Sequence, residues 1–169
     1  YPGREGDIER LEPLMLTDFV TGQVLDTSTK GKFAVRVITE ENTRNIAKAA
    51  CDLAMKRKQK GKKGRVTVAS KYNVLVHSDE LFRRVVEETV RQYPELIFEQ
   101  QVIDNFCQQM ILNPQQFDVV VMPNEHGDVM ADGAGALVGG LGLAPSACFG
   151  KEYAYFEPTH GHVPELVGK

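Results

Sequence analysis

Two aspartates, Asp128 and Asp132, stand four residues apart in the run Asn124–Asp132 (NEHGDVMAD). If this stretch is helical, both carboxylates project from one face, because residues i and i+4 lie one turn apart. Two like charges held this close repel one another unless a cation sits between them or a helix dipole absorbs the charge. Hard carboxylate oxygens suit Mg²⁺ or Mn²⁺. The surrounding Gly127, Ala131, Gly133, Ala134 and Gly135 leave room for a ligand. Asp104 stands upstream after a run that reads as a strand, where an ordinary helix cap is the plain alternative. Lys71 directly follows the run RVTVAS. A lysine there, near a divalent cation, can lose its proton and act as a base, whereas a surface lysine opening a loop is the bland reading. Asn73 shares that loop, and Glu157, His160 and Gly161 (EPTHG) form a rigid turn near the chain's end.

The elements that must hold these residues are legible in the pattern. Lys32–Ile38 alternates and is rich in branched residues, which predicts a strand. Thr39 followed by Glu40 and Glu41 reads as a helix N-cap, and Ile46, Ala49, Ala50, Leu53 and Ala54 recur at helical spacing, so a helix is expected over about 40–58. Arg65–Ser70 predicts a short buried strand. A helix starting at Ser78-Asp79-Glu80 carries Leu81, Phe82, Val85, Val86 and Val90 on one side, with Pro94 beyond its end. Leu96–Ile103 reads as a strand, Asp104–Leu112 as a short helix, and Phe117–Met122 as a strand covered on both faces. Gly127–Leu137 predicts a helix and Tyr153–Phe156 a last strand, while residues 1–30 carry little pattern. Strands alternating with helices imply an α/β protein with a mixed or parallel sheet and flanking helices. The glycine-rich segment Gly133–Gly142 lacks the spacing of a dinucleotide-binding loop and follows a helix, so close helix packing accounts for it better.

Composition narrows the classes. The chain has 169 residues, 42% hydrophobic and 25% charged, which is ordinary for a globular protein. A net charge of −3 argues against nucleic acid as a partner. The one basic cluster, Lys56–Arg65, reads as a solvated helix end and loop rather than a phosphate patch. The longest apolar stretch, Ala134–Ala147, is too short and glycine-rich to span a bilayer, so no membrane partner is expected. Cys51, Cys107 and Cys148 fit no zinc or disulfide spacing, which suggests a reducing, cytoplasmic setting.

Taken together, Lys71-Tyr72-Asn73, Val102-Ile103-Asp104-Asn105, Pro123-Asn124, Gly127-Asp128, Asp132, Gly139–Ala147 and Phe156–Gly161 resemble the isocitrate/isopropylmalate dehydrogenase family in order and near spacing, from about Val37 to Lys169. The resemblance implies an isopropylmalate dehydrogenase-like α/β fold and the oxidative decarboxylation of a 2-hydroxy di- or tricarboxylic acid. Isocitrate is expected first, with isopropylmalate, homoisocitrate or tartrate-type acids behind it. It further implies that Asp128 and Asp132, with Asp104 of a neighbouring subunit, hold Mg²⁺ or Mn²⁺. Lys71, also from the neighbour, would then help deprotonate the substrate hydroxyl. Asn73, Glu157, His160 and Gly161 would line the nicotinamide cofactor site, and Arg4 would contact substrate. Glu165 stands where NAD-using members carry a ribose-binding acid, which favours NAD over NADP. Residues 1–138 would form a smaller, dimer-forming domain and residues 139–169 the start of a return into a large domain. The chain would then be a piece of a longer protein working as a homodimer or higher homo-oligomer. One departure stands out. The family's proton-donating tyrosine has no counterpart, since no Tyr occurs between Tyr1 and Tyr72. A non-catalytic regulatory subunit of the same fold is therefore the competing expectation.

Overall fold

The computed structural model describes residues 4–150, 152–159 and 161. The chain divides into two compact units, residues 1–37 and 38–169.

In the first unit, β1 (Glu5–Asp7) pairs antiparallel with β2 (Lys32–Ala34), and a 3-10 helix spans Ile8–Leu14. The strand expected over Lys32–Ile38 is therefore only three residues long. Its ladder with β1 covers Lys32–Ala34, and the Val35 N–H adds one further bond to the Arg4 carbonyl at 2.7 Å. Between the strands, Asp18 Oδ1 accepts the N–H groups of Val20 and Thr21 at 3.0 and 2.6 Å, an aspartate-nucleated turn.

The second unit is built on a three-stranded parallel sheet. Helix α1 (Glu40–Gln59) leads into β3 (Arg65–Ser70), followed by α2 (Ser78–Val90), β4 (Ile97–Val102), α3 (Ile103–Leu112), β5 (Val119–Val121) and α4 (Asn124–Leu137). The order in space is β4-β3-β5, with Arg65–Ser70 in register with Ile97–Val102 and Val66–Val68 with Val119–Val121. Thr39 caps α1 as expected, its hydroxyl accepting the Asn42 N–H at 3.3 Å. Alternation along β3 sends Val66 and Val68 to one face and Ala69 to the other. On the first face they meet Ala47, Ala50, Cys51 and Ala54 of α1 and Phe82, Val86 and Val90 of α2. On the second face Ala69 meets Ile103, Phe106 and Met110 of α3, with Met130 and Ala134 of α4 packed against them. Helices on both faces bury the central strand from Val66 to Ser70, which suits its largely apolar sequence.

Several boundaries differ from the sequence-based expectation. Helix α4 begins at Asn124 rather than Gly127, directly after Pro123, whose fixed φ suits a helix start. Pro145–Phe149 forms a strand, β6, that was not expected; it pairs antiparallel with β7 (Ala154–Pro158). The α4 helix ends at a turn where Gly139 has φ 113°, a conformation open to glycine almost alone.

The basic cluster lies at the N-terminal edge of the sheet and is largely tied down. Asp118, whose side chain is 2% exposed, accepts Arg57 Nε at 2.5 Å, Gly64 N–H at 2.8 Å and Arg65 N–H at 3.4 Å. Lys63 donates to the Gln115 carbonyl at 2.6 Å, and Lys58 to the Glu95 carbonyl. Gly64 itself has φ +64°, and a Cβ there would sit 2.7 Å from Lys58 Cδ. Burial works against the Asp118 charge, but the Arg57, Gly64 and Arg65 hydrogen bonds outweigh it and hold its carboxyl below the usual range.

Replacing Asp118 by alanine strands two backbone donors and one guanidinium, which should cost about 2–4 kcal/mol in thermal or urea unfolding. Because the folded-state pKa is depressed, this stabilisation is present above the unfolded-state value near about pH 4 and is lost as pH falls through the lower folded value. The stability gap between the wild type and Asp118→Asn should therefore narrow below about pH 4.

Candidate functional site

All three parallel strands deliver their following segments to one edge of the sheet, the carboxyl edge, where open α/β sheets form ligand crevices. Lys71 leaves β3 there, Asp104 enters α3 from β4, and Asn124 opens α4 beyond β5. Residues 33 positions apart in sequence meet as a result: Lys71 Nζ donates to Asp104 Oδ2. Asp104 is not the cap of α3. Val102 occupies that position, and Asp104 lies in the first turn with its carboxylate turned to Lys71. The first turn also gives its negative charge a favourable dipole.

Asp128 and Asp132 are both exposed on α4, one turn apart, as the spacing predicts. Asn124 Nδ2 donates to Asp128 Oδ2 at 3.2 Å, orienting that carboxylate from the preceding turn. Among the described residues, no three His, Cys, Asp or Glu side chains stand together as a metal-holding group. The donor chemistry, exposed carboxylate oxygens, is that of a hard divalent cation, but one chain supplies it as separate partial sets.

The loop between β3 and α2 is wound tightly. The Lys71 carbonyl accepts the N–H groups of Val74 and Leu75 at 3.0 and 2.8 Å, and the Lys71 N–H donates to Asp79 Oδ2 at 2.7 Å. Tyr72 lies 5.9 Å beneath the Arg83 guanidinium, which is itself gripped by Glu80 and Glu87 at 2.6–2.8 Å and by Gln100 at 2.9 Å. The hydrogen bond from Arg83 holds the Glu80 carboxyl below its ordinary value, despite partial burial. Asn73 is exposed in the same loop. By sequence, Asp79 and Glu80 mark only the start of α2. Nothing in local spacing distinguishes an acid that faces water from one that folds back onto the loop.

Glu157 lies exposed in β7, opposite Ser146 of β6, and Gly161 just beyond that strand. Arg4 belongs to the first unit, where its carbonyl accepts the Val35 N–H at 2.7 Å. His160 and Glu165 lie outside the described residues.

Comparison with known proteins bears on the family and the fold. The family model for isocitrate/isopropylmalate dehydrogenase matches residues 16–169. The 3-isopropylmalate/3-methylmalate dehydrogenase of Methanocaldococcus jannaschii is 46% identical over 136 residues, covering 80% of this chain and 41% of that protein. A mitochondrial regulatory subunit of NAD isocitrate dehydrogenase from Dictyostelium discoideum is 39% identical over 80% of this chain and 38% of its own length. The crystal structure of isocitrate dehydrogenase from Methylococcus capsulatus superposes with a TM-score of 0.75 at 33% identity, covering 80% of this chain and 39% of that one. The chain thus spans about two-fifths of the length of these relatives.

The Lys71–Asp104 pair is partly solvated, with side chains 30% and 66% exposed, and pairs of this kind add little to stability. Lys71→Ala should shift the unfolding free energy by less than about 1 kcal/mol, measured by urea titration. A larger loss would mean that the pair serves the fold.

Proposed function

This chain belongs to the isocitrate/isopropylmalate dehydrogenase family, and we propose that it carries the base- and metal-bearing part of an NAD-dependent oxidative decarboxylase. Its substrate is a 2-hydroxy di- or tricarboxylic acid, isocitrate foremost, with isopropylmalate, homoisocitrate and tartrate-type acids as the alternatives. The observation that carries this reading is the Lys71–Asp104 contact at the carboxyl edge of a parallel sheet, beside the β5 end that leads to Asp128.

In this reading Asp128 and Asp132 of one protomer, with Asp104 of its neighbour, would hold Mg²⁺ or Mn²⁺. When bound, the cation supplies positive charge against the negative charge that develops on the substrate's oxygen. Lys71 would take the hydroxyl proton, and a bound nicotinamide would supply the hydride acceptor; loss of the β-carboxylate as CO₂ then leaves an enolate to be protonated. Asp104 keeps the Lys71 side chain at the carboxyl edge, and Asn124 aims Asp128. Arg4 binds a substrate carboxylate, and Asn73, Glu157, His160, Gly161 and Glu165 serve the cofactor. Glu165 supports NAD over NADP, because a carboxylate repels a 2′-phosphate. Residues 1–138 act as the dimer-forming domain and 139–169 begin the return toward a larger one. Cytoplasmic placement is supported by the three free thiols, Cys51, Cys107 and Cys148. Among the described residues no helix is long and apolar enough to cross a membrane.

A second reading, a regulatory subunit, is favoured by the lack of any Tyr between Tyr1 and Tyr72. Titrating Mn²⁺ and isocitrate into the full-length protein while following NADH absorbance separates the two. Turnover is expected, and its absence with several 2-hydroxy acids sinks the enzyme reading.

Asp128→Asn and Asp132→Asn should each weaken Mn²⁺ binding in calorimetry by about tenfold or more, roughly 1.4 kcal/mol. Unchanged affinity would remove α4 from the metal site. Lys71→Ala and Asp128→Asn chains, each inactive alone, should regain activity when mixed, because a mixed dimer restores one intact site. Mixtures that stay inactive under conditions of protomer exchange would place both residues in the same protomer's site.

A further inference from the structure

We propose that Asp79 is a positioning residue for Lys71, an inference that rests on the reading above in which Lys71 handles the hydroxyl proton. Asp79 is fully buried (0% exposed) in the first turn of α2, an unusual place for a carboxylate unless it is bonded to something that needs it. Its Oδ2 accepts the backbone N–H of Lys71 at 2.7 Å.

The need arises from the end of the sheet. The β3–β4 ladder stops at Ser70 opposite Val102, so Lys71 is the first residue whose backbone no strand holds. A closed circuit takes over. The Asp79 side chain accepts from Lys71 N–H, the Lys71 carbonyl accepts from Leu75 N–H at 2.8 Å, and the Leu75 carbonyl accepts from Asp79 N–H at 3.0 Å. The circuit is anchored to the core through Phe82, Val85 and Val86 on the same helix. A charged acceptor makes a stronger bond to an amide than a neutral one, and the helix dipole offsets part of the cost of burying it.

Lysine amplifies any error made at its backbone, because its charge sits at the end of four rotatable bonds. Freeing the Lys71 amide lets the backbone rotate, and the ammonium then leaves Asp104. Misplacing a catalytic group by even a small distance lowers the chemical step while leaving the binding of substrate elsewhere intact.

The test compares full-length wild type, Asp79→Asn, Asp79→Ala and Asp104→Asn. The first readout does not depend on turnover: the rate at which trinitrobenzenesulfonate modifies Lys71, mapped by mass spectrometry and normalised to Lys60 in the same chain. Asp79→Ala should speed Lys71 modification several-fold, toward the Asp104→Asn rate. Asp79→Asn, which keeps an acceptor oxygen, should stay near wild type. The second readout is the kinetic split. Asp79→Ala should lower kcat by about tenfold to a hundredfold with KM and Mn²⁺ affinity little changed, and Asp79→Asn should restore most of it. If Asp79→Ala fails to fold, Asp79→Ser, whose shorter side chain cannot span the same distance, takes its place. Lys71 modification unchanged in the alanine or serine variant overturns the positioning role, whatever the kinetics. KM rising together with the fall in kcat overturns it as well. A wild type without turnover overturns only the dehydrogenase reading, since the modification rates still decide the placement of Lys71.

Discussion

Strand β3 has neighbours on both edges and helices on both faces, and most of the second unit follows from that enclosure. Its backbone groups pair with β4 and β5, and its side chains enter two separate cores. Parallel pairing obliges each strand to begin at the same edge, so each connection must leave from the opposite one. Lys71, Asp104 and the Asn124 turn emerge together for that reason, although no local sequence feature joins them.

The two edges use charge in different ways. At the amino edge Asp118 is enclosed, and its bonds to Arg57, Gly64 and Arg65 tie the α1–β3 connection to the start of β5. A buried carboxylate with that many donors is structural, because removing any partner leaves an uncompensated group. At the carboxyl edge Lys71 and Asp104 pair with each other while partly solvated, and contribute little to stability. Asp79 connects the two regimes, since it is buried like Asp118 but directs its charge to the backbone of a solvated lysine.

Away from the sheet the second unit is less well covered. The β6–β7 hairpin exposes Phe149, Tyr153 and Phe156 at 75%, 83% and 74%, and the edge-to-face contact of Phe149 with Phe156 gives them little shelter. Two strands without a third, or without a helix beneath them, gain little from burial. Among the described residues, β6 and β7 pair with no third strand.

The amino-acid pattern by itself determined the alternation of elements from α1 to α4, because a half-buried helix and an enclosed strand each impose their own period on the side chains. Arg65–Ser70 and the Thr39 cap are read directly from residue types. The order of Lys71, Asp104, Asp128 and Asp132 was legible too, through a resemblance spread over the chain rather than through any one spacing. Three things were not. The β6 strand begins at Pro145, beyond the glycine-rich segment, in a stretch with no clear alternation, and pairing with β7 makes it extended. The Lys71–Asp104 contact depends on strand order, which no local period encodes. Asp79 looks like any first-turn acid until tertiary structure closes the 71–79 loop over it. Side-chain periodicity is a local consequence of backbone geometry, so sequence displays it. Which carboxylate meets which cation is set by how strands are ordered in the sheet, so only the tertiary structure decides it.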